Sequence, residues 1–394
     1  MFEARYSKQS GRLVSDDGGA WEVHDRALAM DKEGEDVILL SVGDPDFRTP
    51  EPIVDNAVSH LRVGRTHYSP ALGEMKLRRA VADLETQTCA QPCSPDEVAI
   101  FPGATNAIYS VMSCLLNPGD QVVVPQPMYV GYTTIYAALD VDLVSVPLRV
   151  EDDFGLDLDA IKAAVTDKTR VVFVNTPGNP TGSIISRSQL AELAAYCRER
   201  NIWLVCDEVY SMFTYEGSHR SLRASAAELD NVVVIDGLSK SHAMSGWRVG
   251  WVVAPPQFIA RLGDHAGATL FGCPQFIQDA SAFALENDQV YVAEMREEYR
   301  ERRDQVLKRL DKLDRLKCYR PRAGMFVMCD VSKTGMDGRE FASALLDAEL
   351  VSVVPGIAFG PASANFVRIG LAQPQHVLKR ACKRIRRFIE ALPA

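Results

Sequence analysis

Seven short runs between residues 97 and 254 are apolar at nearly every position: EVAIF (97–101), QVVVP (121–125), VDLVSV (141–146), RVVFVN (170–175), IWLVCDE (202–208), NVVVID (231–236) and VGWVVA (249–254). A strand with one wetted face alternates apolar and polar residues. Runs of Val and Ile without that alternation belong in a sheet covered on both sides. Between many of them lie stretches of helical period, such as 106–116 and 187–200. The alternation predicts a doubly wound, mostly parallel α/β sheet with helices on both faces.

Past residue 288 the pattern changes. QVYVAEMREEYRERRDQVLKRLDKLDRL (289–316) reads as one long charged helix, an exposed strut whose charges serve solvation. Lys76, Arg78 and Arg79 likewise read as a solvated helix face. Beyond the strut, GMFVMCDV (324–331), a helix near 338–347, FVRIGLA (366–372) and a closing helix to residue 391 form a smaller α+β unit. The expected organisation is a large domain over 46–288 and a small domain over 289–394. The segment 1–45 is too short to fold alone, and it joins the small domain or reaches across to a partner subunit.

Composition narrows the function classes. The 394 residues carry a formal net charge of −9, which argues against a nucleic-acid binder because phosphate neutralisation needs a basic surface. The nine cysteines are scattered, and Cys89 with Cys93 has no second pair at zinc-like spacing. Cys114, Cys206 and Cys329 sit in apolar runs, as small buried residues of a reduced compartment do. The seven histidines show no metal spacing, so no metal is expected. The N-terminus lacks an apolar signal region, and the uncharged run 98–119 is broken by Pro102, Gly103, Asn106 and Pro118. The expectation is a soluble, cytoplasmic protein with no membrane span.

Ligands of open α/β sheets gather beyond the C-terminal ends of the strands. Four such ends here carry polar groups. After EVAIF come Gly103, Ala104 and Thr105, small residues opening a helix whose free N–H groups and dipole suit an anion. After RVVFVN comes the turn run Thr176-Pro177-Gly178-Asn179-Pro180-Thr181-Gly182; after IWLVC, Asp207-Glu208-Val209-Tyr210; after NVVVID, Gly237-Leu238-Ser239-Lys240. Each alone has a plainer reading: a helix cap, a double turn, a capping carboxylate, a solvated lysine. Together they bring an anion cradle, an amide, a carboxylate with a phenol, and an amine to one sheet. Arg368, inside the apolar run Phe366-Val367-Arg368-Ile369, needs an anionic partner, either a protein carboxylate or a bound one.

These motifs resemble the fold-type I, pyridoxal 5'-phosphate (PLP) dependent aminotransferases of classes I and II. The resemblance runs from Ser41-Val42-Gly43-Asp44-Pro45-Asp46-Phe47 to Arg368-Ile369-Gly370, through Asn179-Pro180-Thr181-Gly182, Asp207–Tyr210, Ser239-Lys240 and Gly246-Trp247-Arg248. It implies a three-layer large domain on a mostly parallel seven-stranded sheet, plus a smaller α+β domain. It also implies that Lys240 anchors PLP covalently and carries the proton. An amine in a desolvated pocket beside cations has the lowered pKa this needs. By the same resemblance Asp207 pairs with the ring nitrogen, Tyr210 and Asn179 donate to the ring's phenolate oxygen, and Tyr129 stacks on the ring. Gly103, Ala104, Thr105, Ser239 and Arg248 would hold the phosphate. Tyr68 would reach a phosphate in the other subunit, implying a homodimer with shared active sites. Gly43, Asn179 and Arg368 would receive the substrate's carboxylate, and His242 falls close to the site.

The implied reaction moves the amino group of an L-amino acid to a 2-oxo acid in two half-reactions. Stretches 39–47, 127–130, 238–253, 276–280 and 324–328 resemble the arginine–pyruvate transaminase subgroup, which points to arginine or another basic donor and an acceptor such as pyruvate. A guanidinium would call for an acidic partner, for which Asp16 and Asp17 are candidates beside their plainer reading as exposed tail charges. Ser69-Pro70-Ala71-Leu72 instead resembles aspartate/aromatic-type enzymes. A carbon–sulfur β-lyase fits the same cage. A non-enzymatic PLP-binding regulator fits poorly, because the pattern starts by about residue 21 and the chain is acidic.

Overall fold

A computed structural model describes residues 5–13, 21–217, 219–287 and 289–393. A short strand, β1 (Ile38–Leu39), precedes the sheet that the seven apolar runs build. These runs become β2 (Val98–Phe101), β3 (Gln121–Gln126), β4 (Asp142–Pro147), β5 (Thr169–Asn175), β6 (Trp203–Asp207), β7 (Val232–Gly237) and β8 (Gly250–Val253), in the order β2-β8-β7-β6-β5-β3-β4. All neighbours are parallel except β8, which runs antiparallel to β2 and β7.

Successive residues of the strands other than β4 enter opposite cores, which is why their runs show no alternation; β4, at the sheet edge, fully buries only Val146. Val172, Val174, Leu204, Cys206, Val232 and Val234 pack on one face. Val171, Phe173, Val205, Val233 and Ile235 pack on the other, beneath helices such as Ala104–Leu115 and Pro256–Thr269. Each such side chain contributes about 1.5–3 kcal/mol on burial. The expected helices at 106–116 and 187–200 appear as Ala104–Leu115 and Arg187–Glu199.

A second core surrounds β9 (Lys317–Tyr319), β10 (Phe326–Asp330), β11 (Val351–Ser352), β12 (Val354–Pro355) and β13 (Phe366–Gly370). Four of these make an antiparallel sheet in the order β12-β13-β10-β9, while β1 pairs with β11. Part of the N-terminal segment joins this core: Val23 and Ala27 of helix Glu22–Lys32 are buried in it. Earlier, Arg12 of helix Lys8–Arg12 donates to the Ala137 carbonyl at 2.9 Å, on a helix flanking the large sheet.

The charged helix differs from its expectation. It ends at Leu310, after which the chain turns and pairs as β9. Arg302 and Arg303 are buried, not solvated. Arg302 pairs with Asp46 at 2.6 Å and Glu298 at 2.8 Å, and lies over the Phe47 and Tyr299 rings. Arg303 pairs with Glu216 and lies over Tyr215. Stacked aromatics and carboxylates lower the cost of burying guanidinium, which a charge pattern alone does not reveal. Arg78 also departs from the solvated reading: it is buried and donates to the Pro95 and Val98 carbonyls. Among the described residues no helix is long and apolar enough to cross a membrane.

Candidate active site

The C-terminal ends of β2, β5, β6 and β7 open onto a cavity of about 360 Å³, whose far wall comes from the second core. Ala104, Thr105, Tyr129, Asn179, Asp207, Tyr210, Ser239, Lys240, Arg248, Gly43 and Arg368 all line it.

Lys240 sits in the short helix Leu238–Ser241 directly after β7. Its Nζ donates to the Gly43 carbonyl at 2.5 Å. Burial, with Arg368 and Arg248 nearby, depresses its pKa to about 8 against the opposing pull of Asp44 and Asp207. About a tenth of the amine is therefore uncharged and nucleophilic at pH 7, far more than of an ordinary lysine. Gly43 is packed so tightly that a Cβ would lie 2.5 Å from the Phe326 ring.

Asp207 ends β6 and is buried. Burial raises its pKa to about 6, while hydrogen bonds from Tyr132 and the Val209 N–H pull it down. The Tyr132 hydroxyl donates to Asp207 Oδ2 at 2.6 Å. The carboxylate thus stays largely ionised at neutral pH and can face a cationic ring nitrogen. Asn175, at the end of β5, donates through Nδ2 to the Asp207 carbonyl at 2.9 Å and accepts from the Asn179 N–H at 2.8 Å, fixing the turn against β6. Burial pushes the Tyr129 and Tyr210 phenols up, so both remain hydrogen-bond donors.

No side chain caps the helix Ala104–Leu115. Its N-cap, Gly103, has φ +90°, and a Cβ there would lie 2.3 Å from Arg248 Nη2. Gly103 therefore does not line the cavity but lets Arg248 lie against the helix N-terminus. Arg248 donates to the Ser245 carbonyl at 2.7 Å and the Pro102 carbonyl at 3.3 Å.

Arg368, on β13, is buried. It donates to Asn179 Oδ1 at 3.0 Å and the Ser41 carbonyl at 2.8 Å, and its Nε has no partner. Its guanidinium lies 4.0 Å from the Phe326 ring centre. Burial lowers its pKa to about 10, so it stays cationic at neutral pH. Among the described residues no carboxylate forms an ion pair with it.

This donor set fits PLP. An amine, a carboxylate, phenol and amide donors, and an uncapped helix N-terminus beside an arginine converge on one cavity. The unpartnered Arg368 Nε leaves donor capacity for an anion. The class I and II aminotransferase family model matches residues 35–385. The chain belongs to the class I and II aminotransferases. It is a PLP-dependent transaminase with the fold-type I architecture. Arginine–pyruvate transaminase AruH of Pseudomonas aeruginosa is 42% identical over 97% of both chains. Aspartate aminotransferase of Pyrococcus abyssi is 35% identical over 90% of this chain and 92% of its own. The structure of Thermus thermophilus aspartate aminotransferase with maleate superposes with a TM-score of 0.93 at 31% identity, covering 98% of this chain and 100% of that one.

In this aminotransferase Tyr68, expected to reach a partner's site, and His242 also stand apart from the cavity, as Gly103 does. Tyr68 is 82% exposed and packs edge-on against Phe271. His242 is fully buried beside Ser241 and does not line the site; burial drops its pKa to about 4. Asp16 and Asp17 lie outside the described residues. Sequence reasoning missed Tyr132, although its spacing from Tyr129 places the two on one helical face. It also missed Trp21, which lines the cavity mouth from the start of helix Glu22–Lys32 and carried no motif.

Proposed function

We propose that this aminotransferase takes the amino group from arginine or another basic L-amino acid and passes it to a 2-oxo acid such as pyruvate. The observation that carries the amino-acid reading is Arg368: a buried, cavity-lining guanidinium with neutral partners only and an unpartnered Nε. It would clamp the donor's α-carboxylate, with Asn179 beside it.

When bound, PLP supplies an aldehyde carbon for the donor's amine and a ring that accepts the electron pair left as the Cα–H bond breaks. Lys240 would hold the cofactor through its Nζ, and the same amine would carry the proton taken from the donor's Cα. Asp207, oriented by Tyr132, would pair with the protonated ring nitrogen. Tyr210 and Asn179 would donate to the phenolate oxygen, and Tyr129 would pack on the ring. The first amides of helix Ala104–Leu115, Ser239 and Arg248 would bind the phosphate.

The donor preference rests on charge and shape. The cavity's three cations among the described residues, Lys240, Arg248 and Arg368, each have a role above, which leaves none of them for a second carboxylate. Trp21 lines the cavity, and an indole there would suit a guanidinium. The similarity to AruH supports the same donor. We further propose a homodimer in which Tyr68 reaches the partner's site. The exposed Val54, Val58, Leu61, Val63 and Phe271 supply apolar surface for it. Single-turnover reaction with L-arginine, L-alanine and L-aspartate, followed by pyruvate, tests the reading. Faster amino transfer from arginine supports it. Preference for aspartate overturns it, as does release of pyruvate, ammonia and a thiol from an S-alkyl-L-cysteine without an oxo-acid acceptor.

A further inference from the structure

Three of the nine cysteines meet in the second core, two on consecutive strands and the third on the closing helix. Cys318 lies on β9, Cys329 on β10 and Cys382 on helix Gln375–Ala391. Cys329 and Cys382 are buried within this core, and Cys318 packs against it half-buried. Cys318 and Cys329 stand directly opposite each other in the antiparallel β9–β10 ladder. Opposed residues of such a ladder have Cα atoms about 4.5 or 5.5 Å apart, depending on the pair type, with side chains on the same face. Both separations fall inside the roughly 4.4–6.8 Å window of a disulfide. The two thiols already interact with each other, and Cys382 lies near enough to act on Cys329 electrostatically.

The other cysteines are not paired in this way. Cys89, the nearest in sequence to Cys93, is bound to Glu85, while Cys93 turns to the Ser94 carbonyl. No group of three or more His, Cys, Asp or Glu among the described residues is arranged to hold a metal ion. The chemistry open to the Cys318 cluster is therefore that of thiols.

We propose that Cys318 and Cys329 form a reversible oxidation site, closing a cross-strand disulfide when the protein meets a peroxide. Cys318, the half-buried member, is the one a small oxidant reaches. Its sulfur attacks one oxygen of hydrogen peroxide, the O–O bond breaks, and Cys318 becomes a sulfenic acid with loss of one water. Burial keeps the Cys329 thiol protonated, so it gives up its proton as its sulfur attacks the Cys318 sulfur; the S–O bond breaks and a second water leaves with that proton. Two thiols lose two electrons and peroxide gains them. Cys329 is thus the resolving residue, and the ladder holds it in place before the oxidant arrives. Cys382 is a bystander on the packed helix. The link would lie one residue from Met328, which opposes Arg368 across the β10–β13 ladder.

The test uses the PLP-loaded enzyme with stoichiometric hydrogen peroxide, quenched by alkylation and mapped as peptides without reduction. The expected result is a Cys318–Cys329 linked peptide and loss of two of the nine alkylatable thiols. A thiol reductant should restore both. Cys318→Ser should abolish the link, and Cys382→Ser should leave it intact. Four results would overturn the proposal: no thiol loss, a link that includes Cys382, Cys318 carried to sulfinic or sulfonic acid without a linked peptide, or equal loss of two thiols in Cys318→Ser.

Discussion

Gly103→Ala separates the phosphate cradle from the rest of the site. At φ +90° an alanine is strained by about 1–3 kcal/mol, whatever space it finds. Here there is none: the new Cβ would lie 2.3 Å from Arg248 Nη2 and 2.9 Å from its Cζ. The guanidinium is the mobile end of its side chain, so it moves before the helix does and leaves the helix N-terminus. Loss of one charge-assisted hydrogen bond to a phosphate removes about 1.5–3 kcal/mol, or roughly 10- to 100-fold in PLP affinity. Absorbance titration of the cofactor-free protein with PLP measures this. Thermal unfolding of the same cofactor-free protein measures the strain separately, as a fall of a few degrees. A variant that unfolds earlier yet binds PLP within twofold of wild type would refute the role given to Arg248.

Tyr132→Phe removes a donor that holds the Asp207 pKa down, so that pKa rises from about 6 toward neutrality. The acid limb of the kcat profile should move to higher pH, with a greater loss below about pH 7 than above it; an unmoved limb contradicts the assignment. Arg302→Met strands Asp46 and Glu298 beside a buried apolar side chain, and urea unfolding should show a loss of about 2–4 kcal/mol, discounted for the partial exposure of both carboxylates. A change within about 0.5 kcal/mol would restore the solvated reading of that helix. Trp21→Ala should lower kcat/KM for arginine about 5- to 30-fold while leaving alanine within twofold, because only the cationic side chain uses the indole face. An equal loss for both donors would make Trp21 a packing residue.

The sheet was legible because strand segments buried on both faces must be apolar, as Val171–Val174 of β5 and Val232–Ile235 of β7 are. The charged helix was misread because its sequence shows charge but not what each charge meets. In MREEYRERRDQ only spacing separates Arg302, three residues after Tyr299 and stacked on it and Phe47, from Arg300, half-exposed beside Glu297, and the run of charges hides that spacing. At the site, Lys240, Asp207 and Arg368 stood out because an ionisable group next to an apolar run has few structural uses. Tyr132 did not, because a tyrosine in an apolar helix reads as core until its hydroxyl is seen on Asp207. Asn175 was hidden at the end of its strand for the same reason.

The account stands most directly on Lys240. The measurement is the half-reaction of PLP-loaded Lys240→Ala with L-arginine, followed by the cofactor's absorbance and by the 2-oxo acid released. The account predicts that the variant binds PLP without the covalent anchor and that conversion of arginine to its oxo acid falls about 10²-fold or more. Conversion at the wild-type rate would contradict it.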